Sequence, residues 1–257
     1  HKHVDTALWL LNNGASVSHH DRDGTLPFHM AAAACEPAVL KKIYSAMQKG
    51  GTRVRADVKD QRGQRALHYA AGEGNLEVVR ALVEDYEASI HSADDDGITP
   101  LLVAAMSGQV EMIKPLIVEL GADPNAADDQ GYPGHTADDR GMTALHHAAM
   151  NGHVSCITAL VKLGANVDAT LPIGTRLIQG ASPLHVAACE GHAECVAKLG
   201  ASPLHVAACE GHAECVAELV NQGARVDTRD KQGGRVDTQD KQVRRIGVGY
   251  EVDDAKP

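Results

Sequence analysis

The 257-residue chain predicts an all-α solenoid: helix–turn–helix units stacked side by side, with hairpin-like fingers between them. Three observations carry this reading. A seven-residue phrase recurs six times, and a second phrase follows it in the same phase. Aromatic residues make up only 3%, few for one ordinary globular core.

The first phrase reads Leu26-Pro27-Phe28-His29-Met30-Ala31-Ala32, then Arg65-Ala66-Leu67-His68-Tyr69-Ala70-Ala71, then Thr99-Pro100-Leu101-Leu102-Val103-Ala104-Ala105. It returns as Thr143-Ala144-Leu145-His146-His147-Ala148-Ala149, Ser182-Pro183-Leu184-His185-Val186-Ala187-Ala188 and Ser202-Pro203-Leu204-His205-Val206-Ala207-Ala208. Its second positions, 27, 66, 100, 144, 183 and 203, are spaced by 39, 34, 44, 39 and 20. Ser or Thr before Pro starts a helix: the hydroxyl caps free amides, and Pro at the first helical position loses no bond. Leu and the two Ala then share one face, and small side chains allow close helix packing. Gly74, Gly108, Gly152, Gly191 and Gly211 end this first helix. The second helix carries apolar residues at helical spacing, as in Val78, Val79, Leu82 and Val83. It closes at Gly-Ala pairs such as Gly14-Ala15, Gly121-Ala122 and Gly164-Ala165. Asp-Gly pairs such as Asp96-Gly97 then turn the finger. Helices this short are marginal alone, so stability comes from stacked neighbours.

These phrases resemble the ankyrin repeat, with its T-P-L-H-x-A motif and 33-residue period, over roughly residues 1 to 233. The resemblance implies a protein-binding scaffold or adaptor, contacted at finger tips and on a concave inner-helix face. It also gives the phrase histidine a hydrogen-bonding role within the turn. On matching positions the face residues are Met30, Tyr69, Val103, His147, Val186 and Val206. Further along the same helices lie Glu73, Ser107, Asn151, Glu190 and Glu210.

The spacings locate insertions: six residues near Gly50 to Asp60, 11 around Gln130 to His135, and six in Leu171 to Ile178. One inserted finger carries Tyr132 and His135; the other carries Leu171, Ile173, Leu177 and Ile178. These aliphatics are expected to be exposed, where they either tuck against a neighbouring finger or form an apolar partner contact flanked by acidic tips. Residues 180–199 and 200–219 match at 19 of 20 positions, and the first copy lacks a helix end and finger. This reads as a tandem duplication or an error of assembly, and the 180–199 unit is expected to be irregular. The organisation is thus a partial repeat at 1–20, repeats with insertions at 21–179, duplicated repeats at 180–233 and a tail at 234–257. Trp9 and Leu10 are expected to be short of partners, as in a fragment of a longer array.

Composition excludes several classes. A net charge of -10 gives no electrostatic footprint for nucleic acid or an anionic membrane. No apolar run approaches the ~18 residues of a membrane span. Six cysteines without a secretory pattern read as reduced thiols in cytoplasm or nucleus. No phosphate loop, HExxH or nucleophile elbow occurs, so neither catalysis nor a cofactor is expected. His146 reads as structural and His147 as an exposed inner-helix side chain. A zinc module is the competing reading: His185, Cys189, His192 and Cys195 recur as His205, Cys209, His212 and Cys215. The spacing lacks paired C-x2-4-C, and a helix break at Gly191 separates the cysteines. Another alternative is a repeat segment of a larger ubiquitin-ligase substrate adaptor, channel or kinase. Early fingers are basic (Arg53, Arg55, Lys59, Arg62, Arg65) and middle ones acidic (Asp94, Asp95, Asp96, Asp128, Asp129, Asp138, Asp139). That polarity is either a solvated face or a field that orients a partner with basic and apolar groups.

Overall fold

A computed structural model describes residues 4–49, 55–128 and 141–171, together with Ser182, Pro183, Val186, Ala187, Glu190 and His192. Its helices are α1 (Val4–Asn12), α2 (Pro27–Ala34), α3 (Pro37–Lys49), α4 (Ala66–Gly72), α5 (Leu76–Glu84), α6 (Pro100–Met106), α7 (Val110–Lys114), α8 (Ala144–Met150) and α9 (Val154–Lys162). Among the described residues the β content is one isolated antiparallel bridge, Ala127 to Thr143. The inner helices α2, α4, α6 and α8 stack in sequence order. Each carries its outer helix, α3, α5, α7 or α9, on its back.

The phrase alanines explain the close stack. Ala31, Ala32, Ala70, Ala71, Ala104, Ala105, Ala148 and Ala149 are all buried between inner helices. The outer helices supply the bulk: Val78, Val79, Leu82, Met112, Ile113, Leu116, Ile157 and Leu160 are fully buried. An aromatic knot fills the first layer. The Phe28 ring lies 5.6 Å from Tyr44 and 6.5 Å from Tyr86, and the two tyrosines are 4.7 Å apart.

Helix starts follow two chemistries. At Thr99 the hydroxyl accepts the Leu102 N–H at 3.4 Å, as the Ser/Thr-Pro reading requires. Leu26 and Arg65 lack a hydroxyl. There the phrase histidine turns back, as it also does at Thr143: His29 Nδ1 accepts the Leu26 N–H at 3.0 Å, His68 Nδ1 the Arg65 N–H at 3.2 Å and His146 Nδ1 the Thr143 N–H at 3.2 Å. The proton then sits on Nε2, which donates across to the next unit, to the Val58 carbonyl from His29 and to the Ile98 carbonyl from His68, each at 3.0 Å. One buried side chain thereby closes its own helix and fixes the register of its neighbour.

Two helices depart from the expected lengths. Much of the first insertion, placed near Gly50 to Asp60 by spacing, extends α3, which has 13 residues where α5 and α9 have nine. An amphipathic extension needs no new turn, so helix growth absorbs the residues. The outer helix of the third unit continues past α7 as a π-helical segment, Pro115–Glu119. Pro115 has no N–H to donate, and the helix widens behind it, with Leu120 N–H bonding the Pro115 carbonyl at 3.1 Å.

Where the residues that follow an outer helix are described, the helix ends on a left-handed residue. Gly14, Gly121 and Gly164 hold it at φ of 83, 77 and 91°; the α5 unit has Glu87 there, at φ 56°. A side chain at that φ is strained. Glu87→Gly is expected to stabilise the chain by about 0.5–1 kcal/mol in urea unfolding. An unchanged or lower midpoint would show the strain to be absent.

Candidate functional site: finger row and inner-helix face

Each finger is built on one aspartate. Asp60 Oδ1 accepts the N–H groups of Arg62 and Gln64, both at 2.8 Å, and Asp94 Oδ1 those of Asp96 and Ile98 at 3.0 and 2.9 Å. Asp21 Oδ1 does the same for Asp23 and Thr25, and Asp128 Oδ1 accepts from Met142 N–H at 2.7 Å. The amide of Thr25 is the largest cause holding the Asp21 carboxyl below its ordinary value. Neighbouring tips are tied by backbone bonds, Gln61 N–H to the Asp23 carbonyl and Asp95 N–H to the Arg62 carbonyl, each 3.0 Å. The fingers of Asp21, Asp60 and Asp94 form one connected row.

The second carboxylate oxygen is also taken. Asp60 Oδ2 accepts the Tyr69 hydroxyl at 2.7 Å, and Tyr69 in turn accepts from Thr25 Oγ1 at 3.2 Å. Burial pushes the Tyr69 phenol above its usual value. Asp94 Oδ2 accepts Gln64 Nε2 at 3.2 Å, and His147 Nε2 lies 3.2 Å from Asp128 Oδ2. Three different side chains thus latch the finger aspartate to a neighbouring element.

This corrects several expectations. His147 was expected to be exposed but is buried at 4%, because it closes on Asp128. Asp94 and Asp128, read as acidic tip charges, are buried at the finger bases. Lys59 pairs with Asp95 of the next finger at 3.2 Å, and Arg65 lies 2.7 Å from Asp57 while donating to the Ala93 carbonyl at 2.7 Å. Opposite finger charges are partly spent on each other, so less of the basic-to-acidic polarity faces solvent. Leu171, expected to be exposed, is 2% exposed and packs with Met142 and Val186. Val186, placed on the open face by register, is itself 2% exposed under that contact.

The remaining face residues sort by position. Met30, Glu73, Ser107, Asn151 and Glu190 are exposed; Tyr69 and Val103 are half-buried. Asn151 donates its side-chain amide to the His147 carbonyl at 2.9 Å. The position after the phrase histidine therefore closes along the array, from Met30 at 56% exposure to His147 at 4%. The open part lies toward the N-terminal units. Tyr132, His135, Ile173, Leu177, Ile178, Val206 and Glu210 lie outside the described residues, as does most of the 180–199 unit.

A ladder between units escaped the sequence reading. Asn75 donates its amide to the Ala32 and Cys35 carbonyls at 3.2 and 2.8 Å, and Gln109 Nε2 donates to the Gly72 carbonyl at 2.8 Å. His153 Nε2 reaches the Met106 carbonyl at 2.9 Å and His192 Nε2 the Met150 carbonyl at 2.8 Å. Each bonds the end of the preceding inner helix. The signal was in the sequence: each of these residues directly follows a turn glycine. Gly108 is required twice over, since its φ is 72° and a Cβ there would lie 2.8 Å from the His153 ring. His192, a candidate zinc ligand, is a ladder residue; His185, Cys189, Cys195 and the second set lie outside the described residues. Burial pushes the Cys156 thiol up to about 11, so it stays protonated at neutral pH and fills space as an apolar group.

The ankyrin repeat profile, in its three-copy form, matches residues 33–128 and 130–200, and the single-repeat profile matches 199–231. The chain belongs to the ankyrin repeat family. A crystal structure of the human ASB11 ankyrin repeat domain superposes with a TM-score of 0.60 at 27% identity, covering 82% of this chain and 89% of that one. No curated protein sequence matches the chain. Ankyrin repeat domains are protein–protein interaction modules and typically non-catalytic. Among the described residues of this ankyrin array, no helix is long and apolar enough to cross a membrane.

Proposed function

We propose that this ankyrin array is a scaffold or adaptor without chemistry of its own, working in a reducing intracellular compartment. Its partner docks on the open N-terminal part of the inner-helix face and the adjoining finger tips. The observation that carries this reading is the composition of the open edge. Met30 and Met106 are exposed at 56% and 39%, and Glu73 and Ser107, which end α4 and α6, are exposed as well. Elsewhere the same helices bury nearly every apolar side chain. Exposed thioethers and an exposed carboxylate on successive units suit a partner that offers both apolar side chains and a cation. The row behind them is rigid, because every finger aspartate has both oxygens or its backbone bonded, so little ordering entropy is lost on docking.

The test is affinity capture from cell extract with the whole chain, comparing wild type with Met30→Asp/Glu73→Lys. Both positions are exposed, so circular dichroism and melting temperature are expected to be unchanged. Capture of the partner set is expected to fall at least about tenfold. Equal capture by the folded variant overturns the site.

A further inference from the structure

Val118 is 59% exposed within the array, where the outer helices of both neighbouring units, α5 and α9, are described. One surplus residue sets its place. Gly108 and Gly121 bracket the third outer helix 13 positions apart, whereas Gly152 and Gly164 bracket the fourth 12 apart. The surplus is taken up in the π-helical segment Pro115–Glu119, which carries Val118. Counted from the turn glycine at the helix start, Val118 stands where α5 has Glu84 and α9 has Lys162, both exposed. An aliphatic side chain thus occupies a solvent-facing position that is charged in the units on either side. Counted back from the glycine at the helix end, Val118 matches Val161 of α9, which is 38% exposed. The segments that follow these two helices are tied together: Asn125 donates its side-chain amide to the Gly164 carbonyl at 3.4 Å and accepts the Asn166 N–H at 2.7 Å. Two successive outer helices therefore each offer an exposed valine on the side of the array away from the inner helices.

The charges around these valines are uneven. Glu119, next to Val118, is taken by Arg80 of α5 at 2.6 Å. Lys114, four residues before Val118, and Lys162, directly after Val161, are exposed, and among the described residues neither forms an ion pair. Helix α9 carries no carboxylate, in a chain whose net charge is -10. The exposed carboxylates nearby are Glu84, at the end of α5, and Glu111, in the first turn of α7. We propose that the outer surface marked by Val118 and Val161 is a second docking surface, which takes an acidic amphipathic segment of another protein. Apolar side chains of that segment cover the two valines, and its carboxylates meet Lys114 and Lys162. Glu84 repels such a segment on the α5 side and so directs its acidic groups toward α9. The surface stands apart from the inner-helix face, whose exposed Glu73 suits a partner of the opposite charge.

A phage library of random linear peptides, cleared on the Val118→Glu/Val161→Glu variant and then selected on the full wild-type chain, tests this. Both positions are exposed, so the circular dichroism spectrum of the clearing variant is expected to be that of wild type. The surviving peptides are expected to combine aliphatic or aromatic residues with Asp or Glu. A synthetic copy of the most enriched one, followed by fluorescence anisotropy, is expected to bind wild type less tightly as salt is raised. It is expected to bind Lys114→Glu/Lys162→Glu at least about tenfold more weakly, and Met30→Asp/Glu73→Lys as it binds wild type. The same peptide with its carboxylates replaced by lysine is expected to prefer the charge-reversed chain. The proposal is overturned if no peptide survives clearing, if the survivors lack acidic residues, or if the charge-reversed chain binds as well as wild type. Loss of binding in Met30→Asp/Glu73→Lys overturns it too, since that places the peptide on the inner-helix face.

Discussion

Phe28→Ala is expected to destabilise the array by about 3–5 kcal/mol, the largest effect of any single substitution proposed here. Phe28 is fully buried, and its ring is the hub that Tyr44 and Tyr86 pack against. The cavity cannot collapse easily, because α2 is held on both sides: by α4 in the stack and by α3 behind it. Stability in a repeat array is a sum over units and their interfaces, so the loss falls on the N-terminal layers first. Urea unfolding followed by circular dichroism is expected to show an early phase that wild type lacks, with hydrogen exchange accelerated in α2 and α3. A loss below about 1 kcal/mol would mean that the aromatic knot is not a packing unit.

His68→Ala is expected to cost about 2–4 kcal/mol, since it orphans two backbone groups at once. The Arg65 N–H loses its acceptor at the helix start, and the Ile98 carbonyl loses its donor in the next unit. The pH dependence follows from the same geometry. His29 and His68 are held below the ordinary histidine value of 6.5, burial being the main cause. Protonation would place a hydrogen on Nδ1, facing the N–H that Nδ1 accepts in the fold. The unfolded chain therefore binds protons more readily, and the stability given by the neutral rings, full above pH 6.5, is lost as pH falls below it. Melting temperature is expected to drop between about pH 7 and pH 5, and to drop less steeply in His68→Ala. An equal slope in both proteins would sink the assignment of that loss to this histidine.

The period, the helix pairs and the glycine breaks were legible in the residues, and the histidine's bond within its turn came with the family resemblance. Each is set by local chemistry that repeats from unit to unit: a Pro that starts a helix, an Ala pair that admits a neighbour, a Gly that can turn left-handed. The family resemblance rested on the same residues and holds across the matched span. What the tertiary structure alone decided was the fate of side chains at positions the pattern leaves free. The position after the phrase histidine is Met30, Tyr69, Val103 or His147, and register assigns all four to one face. Only the stack shows that His147 is drawn under to Asp128 and that Tyr69 closes on Asp60, while Met30 stays open. Leu171 and Val186 likewise vanish into a contact with Met142 that spans distant parts of the chain. The physical reason is range. A helix start depends on neighbours a few residues away, but burial depends on what the next unit and its finger bring across the gap. The ladder of Asn75, Gln109, His153 and His192 lies between the two regimes: its positions follow the period, and its bonds exist only once one unit is laid on another.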